Sequence, residues 1–315
     1  MEYLLLLLAT MTSTGKALVL KKIGNDSGDD IRRMYRLNAG IFGVAATVVL
    51  IFALISGRAT LPSPMTLLFS SAFAALLVFT QVTEAVAMRH GSASMTILIY
   101  SLGLLIPIFY GSIFLSEPIS LPQVFGMALI VAALCFIVNP RVDGKFSSVW
   151  LIFSLLACFG SGFTAVMQKI QQSSEEREEL MAFLVLAFSL AALLSLALSF
   201  LPRRGEPAVA DGASAEEHRT VWLRILRFVL FSGVCVGLLN VFNLILAGKL
   251  PAVVQFPIYN VGSMILTGVG GRFIFGSESE NKKIKERERE YDNALHWNLD
   301  AEYLLPLKEF FEKYI

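Results

Sequence analysis

The sequence is short of charge: only 16% of its 315 residues are Asp, Glu, Lys or Arg, against roughly 25% in ordinary soluble proteins. With 55% apolar residues and a mean hydropathy of +0.66, a water-soluble globule is excluded. The net charge is +1, and no basic block is large enough to hold a polyanion, so nucleic acid is not expected as a partner. The three cysteines, Cys135, Cys158 and Cys235, stand alone in apolar runs, which excludes a disulfide scaffold and leaves small buried packing residues. The three histidines, His90, His218 and His296, have no neighbours at metal-ligand spacing. No phosphate-cradling glycine loop and no intramembrane protease signature is present, and FGSGF at 159–163 lacks the glycine such a serine requires. Neither an enzyme nor a bound metal or cofactor is expected.

What is there is length of apolar run. A helix needs about 20 mostly apolar residues to cross the hydrocarbon of a bilayer. Nine segments meet or approach that, near residues 3–20, 37–56, 65–86, 93–115, 121–138, 148–167, 180–201, 222–246 and 252–275. The first resembles a signal peptide in length, yet its start, Met1-Glu2, carries no Lys or Arg and no small-x-small cleavage pattern follows, so it reads as a retained helix. Residues 202–221, PRRGEPAVADGASAEEHRTV, read as an exposed connector. After Gly276 the character changes: residues 277–315 hold seven basic and ten acidic side chains, with KKIKERERE patterned for ion pairs along a solvated helix. Leu304, Leu307, Phe311 and Tyr314 then fall near one face of a short amphipathic helix.

The chain also repeats itself. LLATMTSTGKALVLK at 7–21 returns as LLACFGSGFTAVMQK at 155–169, so that Ser13 falls on Ser161 and Lys21 on Lys169. FSSAFAALL from Phe69 meets FSGVCVGLL from Phe231, and GSIFLSE from Gly111 meets GRFIFGSE from Gly271. The matches are collinear and describe a duplicated unit of five helices. Five is odd, so the second copy must enter the membrane from the opposite side, a plan common among secondary transporters.

That plan and the stretch GSIFLSEPISLPQVFGMALIVAALCFIVN at 111–139 resemble the EamA-like members of the drug/metabolite transporter superfamily, with Glu117, Gln123 and Gly126 in the expected places. The resemblance implies a small-solute transporter of ten helices. Here the tenth is missing. The expected fold is therefore an all-α polytopic membrane protein of two inverted five-helix repeats, residues 1–140 and 141–276, the second lacking its last helix, plus a charged, partly helical tail at 277–315. Dimerisation would let such a chain borrow a helix from a second copy; a non-transporting relic or scaffold is the alternative.

Polar groups within spans are costly and mark candidate sites. Mid-span prolines with nearby tyrosines recur in the fourth and ninth helices, as Tyr100 and Pro107, then Pro257 and Tyr259. Each proline frees a carbonyl one turn earlier. The expected solute site is lined by Tyr100, Gln255, Tyr259 and Asn260, with Asn240 and Asn243 adding amides and Lys16 or Glu84 nearby. Lys16 can instead snorkel to the interface, Glu84 can pair with Arg89 or His90, and Glu117 is expected to accept amides opening the fifth helix. Gly233-x-x-x-Gly237 reads as a close-packing face. The basic residues favour an outside N-terminus, whereas the family plan implies a cytoplasmic one. The reading is a multi-pass protein of the plasma or inner membrane that moves a small organic solute by alternating access, in contact with the lipid bilayer.

Overall fold

A computed structural model of the chain describes residues 2–24, 31–90, 96, 99–137, 148–200, 215–263, 265, 266 and 269. Nine helices are present among them and no strand. They are α1 (Glu2–Gly24), α2 (Ile31–Ile55), α3 (Pro64–His90), α4 (Ile99–Phe114), α5 (Leu121–Ile137), α6 (Ser148–Ser173), α7 (Leu180–Ser199), α8 (Ala215–Ala247) and α9 (252–263). Five contain stretches long and apolar enough to cross a membrane by themselves: Met34–Ile55, Pro64–Ala87, Ser148–Ser173, Glu175–Ser199 and Ile225–Ala247. The tail at 277–315 and the end of the ninth expected span lie outside the described residues.

Helix ends follow local chemistry. α3 starts at Pro64, where a missing N–H costs nothing, behind Ser63, whose hydroxyl accepts the Thr66 N–H at 3.1 Å. Glu179, in the 3-10 turn Glu175–Glu179 before α7, accepts the Ser63 N–H at 2.8 Å, tying the starts of α3 and α7 together. The Gln123 side chain reaches back to the Ser120 N–H at 2.8 Å and so caps α5. In α4, Leu102–Leu104 tightens to a 3-10 turn just before Pro107, whose ring removes the bond to the Gly103 carbonyl. α6 runs on past Met167, the expected end of its span. Its extra turn is polar, and these side chains find partners inside the bundle, so hydropathy alone cannot locate its end. α8 likewise begins within the expected connector.

Packing contacts fix the directions. Ser70 Oγ donates to Phe183 O at 3.1 Å, so α3 and α7 run side by side from matched starts. Gly160 of α6 lies against Thr80 of α3, while Trp150 near the start of α6 donates to Thr96, beyond the end of α3, at 2.9 Å, so these two are antiparallel. Gln168 bonds Asn240, and Gln172 lies against Gly248, so α6 and α8 are parallel. α3 and α8 therefore run in opposite directions. In the same way Gly15 of α1 meets Phe231 and Cys235, while Leu6 clusters with Leu239 and Leu246, so α1 opposes α8 and hence α6. Helices that match in sequence are inverted in space.

The pairing has the same symmetry. Exchanging each helix with the one five places on maps α3–α6 packing onto α8–α1, α2–α8 onto α7–α3, and α2–α7 onto itself. The two repeats interlock within one compact unit, Met1–Thr267. At its centre Phe42 stacks on Phe188 at 6.2 Å and Phe73 tilts on Phe183 at 5.1 Å, all four buried. Gly233 and Gly237 let α8 lie directly against the α2 backbone at Ile41 and Ala45. Ile51, Leu54, Ile55, Phe109, Ile113, Phe125, Phe163 and Leu193 face outward, exposed. That is the distribution a bilayer solvent requires, since aqueous proteins do not show apolar patches of this extent.

Candidate solute cavity

Tyr100 of α4 and Tyr259 of α9 converge on a cavity of about 180 Å³ inside the compact unit. From the first repeat it is lined by Phe42, Leu77, Thr80, Gln81, Glu84, Tyr100, Ser101, Gly103 and Leu104. The second repeat supplies Ser161, Thr164, Ala165, Gln168, Val236, Leu239, Asn240, Asn243, Phe256, Tyr259 and Asn260. The two tyrosines are held in matching ways. Tyr259 OH lies 3.2 Å from Ser13 Oγ, and the Tyr100 hydroxyl lies against Ser161, the serine that the repeat aligns with Ser13. Gly103, whose carbonyl Pro107 frees, is on the wall.

Of the residues expected from sequence, Glu84, Tyr100, Tyr259 and Asn260 line the cavity together, as do Asn240 and Asn243. Gln255 does not. It is fully buried behind the wall, its Nε2 donating to Asn243 O at 2.9 Å, so it supports a lining residue instead of facing the space. Lys16 belongs to α1, and its side chain lies outside the described residues. Glu84 and Tyr100 are both on the cavity wall, close enough for the carboxylate charge to act on the tyrosine hydroxyl, while the His90 ring bonds its own helix at Val86 O, 2.9 Å away; the Arg89 side chain lies outside the described residues. Among the described lining residues Glu84 alone is charged.

Glu117 corrects the sequence reading. Its carboxylate accepts no amide of α5; Oε2 accepts the Ala252 N–H, opening α9, at 2.6 Å, and Oε1 accepts from Lys169 Nζ at 2.6 Å. The cause is local. Ser116 sits at φ 54°, and the Leu115 and Glu117 amides both fold back to Gly111 O, at 3.1 and 3.0 Å, turning residue 117 toward the bundle. Gly111 has no Cβ to stand in the way; one there would meet Glu117 Oε2 at 2.5 Å.

Sequence reasoning also missed Gln81, Gln168, Thr80, Ser101 and Thr164. One signal was available for Gln81: the 162-residue offset between the third and eighth helices aligns it with Asn243. Gln168 bonds Asn240 Oδ1 at 3.1 Å, a contact across 72 residues that no local pattern announces.

Residues 1–139 match the EamA-like transporter family. That segment covers α1 to α5 and agrees with the drug/metabolite transporter resemblance carried by residues 111–139. It points to a transporter of the drug/metabolite type, a class without enzymatic chemistry. A solved crystal structure, described only as that of a protein, is 15% identical with a TM-score of 0.56, covering 84% of this chain and 89% of its own; at that identity it attests the fold alone. No curated protein matches the chain. Among the described residues no group of His, Cys, Asp or Glu is placed to hold a metal.

Proposed function

We propose that the chain is a secondary transporter that moves a small polar organic solute across its membrane by alternating access between the inverted repeats. The observation that carries the reading is the polar cavity at the junction of the two repeats, walled by both. A polar pocket within apolar spans is costly to keep, and the junction of inverted repeats is where such transporters bind. Its volume of about 180 Å³ is below the roughly 300–1,000 Å³ of drug-sized sites, which favours a small metabolite over an amphipathic drug. Glu84, on the wall with Tyr100, gives the space a carboxylate that can take a proton or the amino group of a solute.

Charge orients the fold. On the face where α1 ends, the helix termini carry Lys21, Lys22, Arg32, Arg33, Arg36, Arg89 and Arg219. The face where α1 begins, here face I, carries Arg58, Arg177 and Lys249. The positive-inside rule puts face I outside and the other face, face II, in the cytoplasm.

The test begins with a panel of amino acids, amines and small carboxylic acids, scored by the rise in melting temperature of the purified protein and then by flux into proteoliposomes. For a compound that passes both, Asn260→Leu removes a hydrogen-bonding group worth about 1–3 kcal/mol, roughly 5- to 150-fold in affinity. Unchanged affinity in a folded, transporting Asn260→Leu protein would place the site elsewhere.

A further inference from the structure

Between the cavity and face I lies a layer of groups that are not on its wall. Gln168 is on the cavity wall. The next residue, Lys169, is 2% exposed, with Nζ 2.6 Å from Glu117 Oε1 and 2.7 Å from Leu250 O. The other Glu117 oxygen holds the Ala252 N–H at 2.6 Å. One ion pair thus joins α6, the α4–α5 turn and the α8–α9 turn, and α4, α6, α8 and α9 all contribute to the wall. Ile108, Ala252 and Val253 close the same end with apolar contacts.

A buried ion pair contributes little net stability, because desolvating the two charges offsets most of their attraction. That balance makes it a poor rivet and a good latch. If face I opens, α4 and α9 part from α6, water reaches both charges, and their hydration replaces the lost contact. The two arrangements then differ by little free energy, as a two-state element must.

We propose that Glu117 and Lys169 form the face I gate of this protein: paired in the conformation described here, and separated when the cavity opens to that face. The purpose of the gate rests on the transport reading; its test needs no solute. Thr164 lines the cavity, and its hydroxyl donates to Gly160 O of its own helix. Thr164→Cys, with Cys135, Cys158 and Cys235 replaced by Ala, therefore reports access to the cavity. The protein is reconstituted in vesicles and labelled from each side with a membrane-impermeant maleimide, Ala59→Cys marking face I in a parallel sample. Glu117→Gln is expected to raise Thr164→Cys labelling from face I about tenfold and to lower it from face II. The exchange Glu117→Lys with Lys169→Glu re-forms the pair and restores part of the original ratio, the bonds to the Ala252 N–H and the Leu250 carbonyl being lost. Glu117→Asp, one methylene too short to hold both Lys169 and Ala252, shifts labelling the same way by less and serves if the Gln variant does not fold. Equal increases from both faces mean a merely structural pair and overturn the proposal, as does unchanged labelling from face I. A shift as expected in a protein that moves no solute would uphold the gate while the transport reading fell.

Discussion

Ser116 carries a cost that the turn puts to use. A non-glycine residue at φ 54° bears about 1–2 kcal/mol of steric strain, and here that conformation aims Glu117 at Lys169. Glycine would remove the strain while adding about 0.5–1 kcal/mol of chain entropy in the unfolded state. Ser116→Gly is therefore expected to melt within a few degrees of the parent. Ser116→Val, whose branched Cβ tolerates positive φ least, should melt lower by the equivalent of about 1–2 kcal/mol. A Val variant as stable as the parent in a detergent thermal scan would mean that the turn relaxes at no cost. Little of this was legible in sequence: Ser-Glu-Pro marks a turn, but which way its carboxylate points depends on Lys169, 52 residues away. Lys169 itself was visible only as the repeat partner of Lys21, with no role attached.

Helices approach most closely where glycine allows it, and the two equivalent contacts are not equally tight. A Cβ on Gly103 of α4 would sit 2.5 Å from the Cys158 carbonyl of α6, a backbone atom that cannot move alone. On Gly262 of α9 it would meet only the Thr10 methyl, at 3.0 Å. Gly103→Ala should therefore force α4 off α6, at about 1–3 kcal/mol, and perturb the cavity that Gly103 lines. Gly262→Ala should cost under about 1 kcal/mol, since a side chain can turn aside. Thermal melting of the two variants side by side checks this, and equal losses would contradict the asymmetry. Existence and order of the helices were readable from apolar run length. Their ends were less so, most clearly in α6, because Gln168, Lys169 and Gln171 are tolerated only through Asn240, Glu117 and the Glu176 carbonyl.

For the whole molecule, an inverted pair of repeats makes a definite claim about sides. A cysteine at Ala59, at the face I end of α2, is expected to react with an impermeant thiol reagent on intact cells. One at Ser148, which opens α6 on the opposite face, should react only after permeabilisation. The reverse result would turn the protein over and show that the charge tally misleads for this chain; reaction of both without permeabilisation would break the crossing scheme itself.

The sequence by itself determined the solvent, the class and the symmetry. A charge content too low for water demands a bilayer, the bilayer demands helices that satisfy their own backbone, and an odd-membered repeat demands inversion. It also put Glu84, Tyr100, Tyr259 and Asn260 on the cavity, because polar groups within spans are few enough to stand out. Only the tertiary structure decided that Gln255 lies behind the wall, that Gln81 and Gln168 are on it, and that Glu117 reaches across to Lys169 and α9 instead of capping its own helix. The reason is physical: periodicity and hydropathy report how a residue meets its own helix and its solvent, whereas a hydrogen bond between helices depends on directions set by glycine contacts and turns far away along the chain.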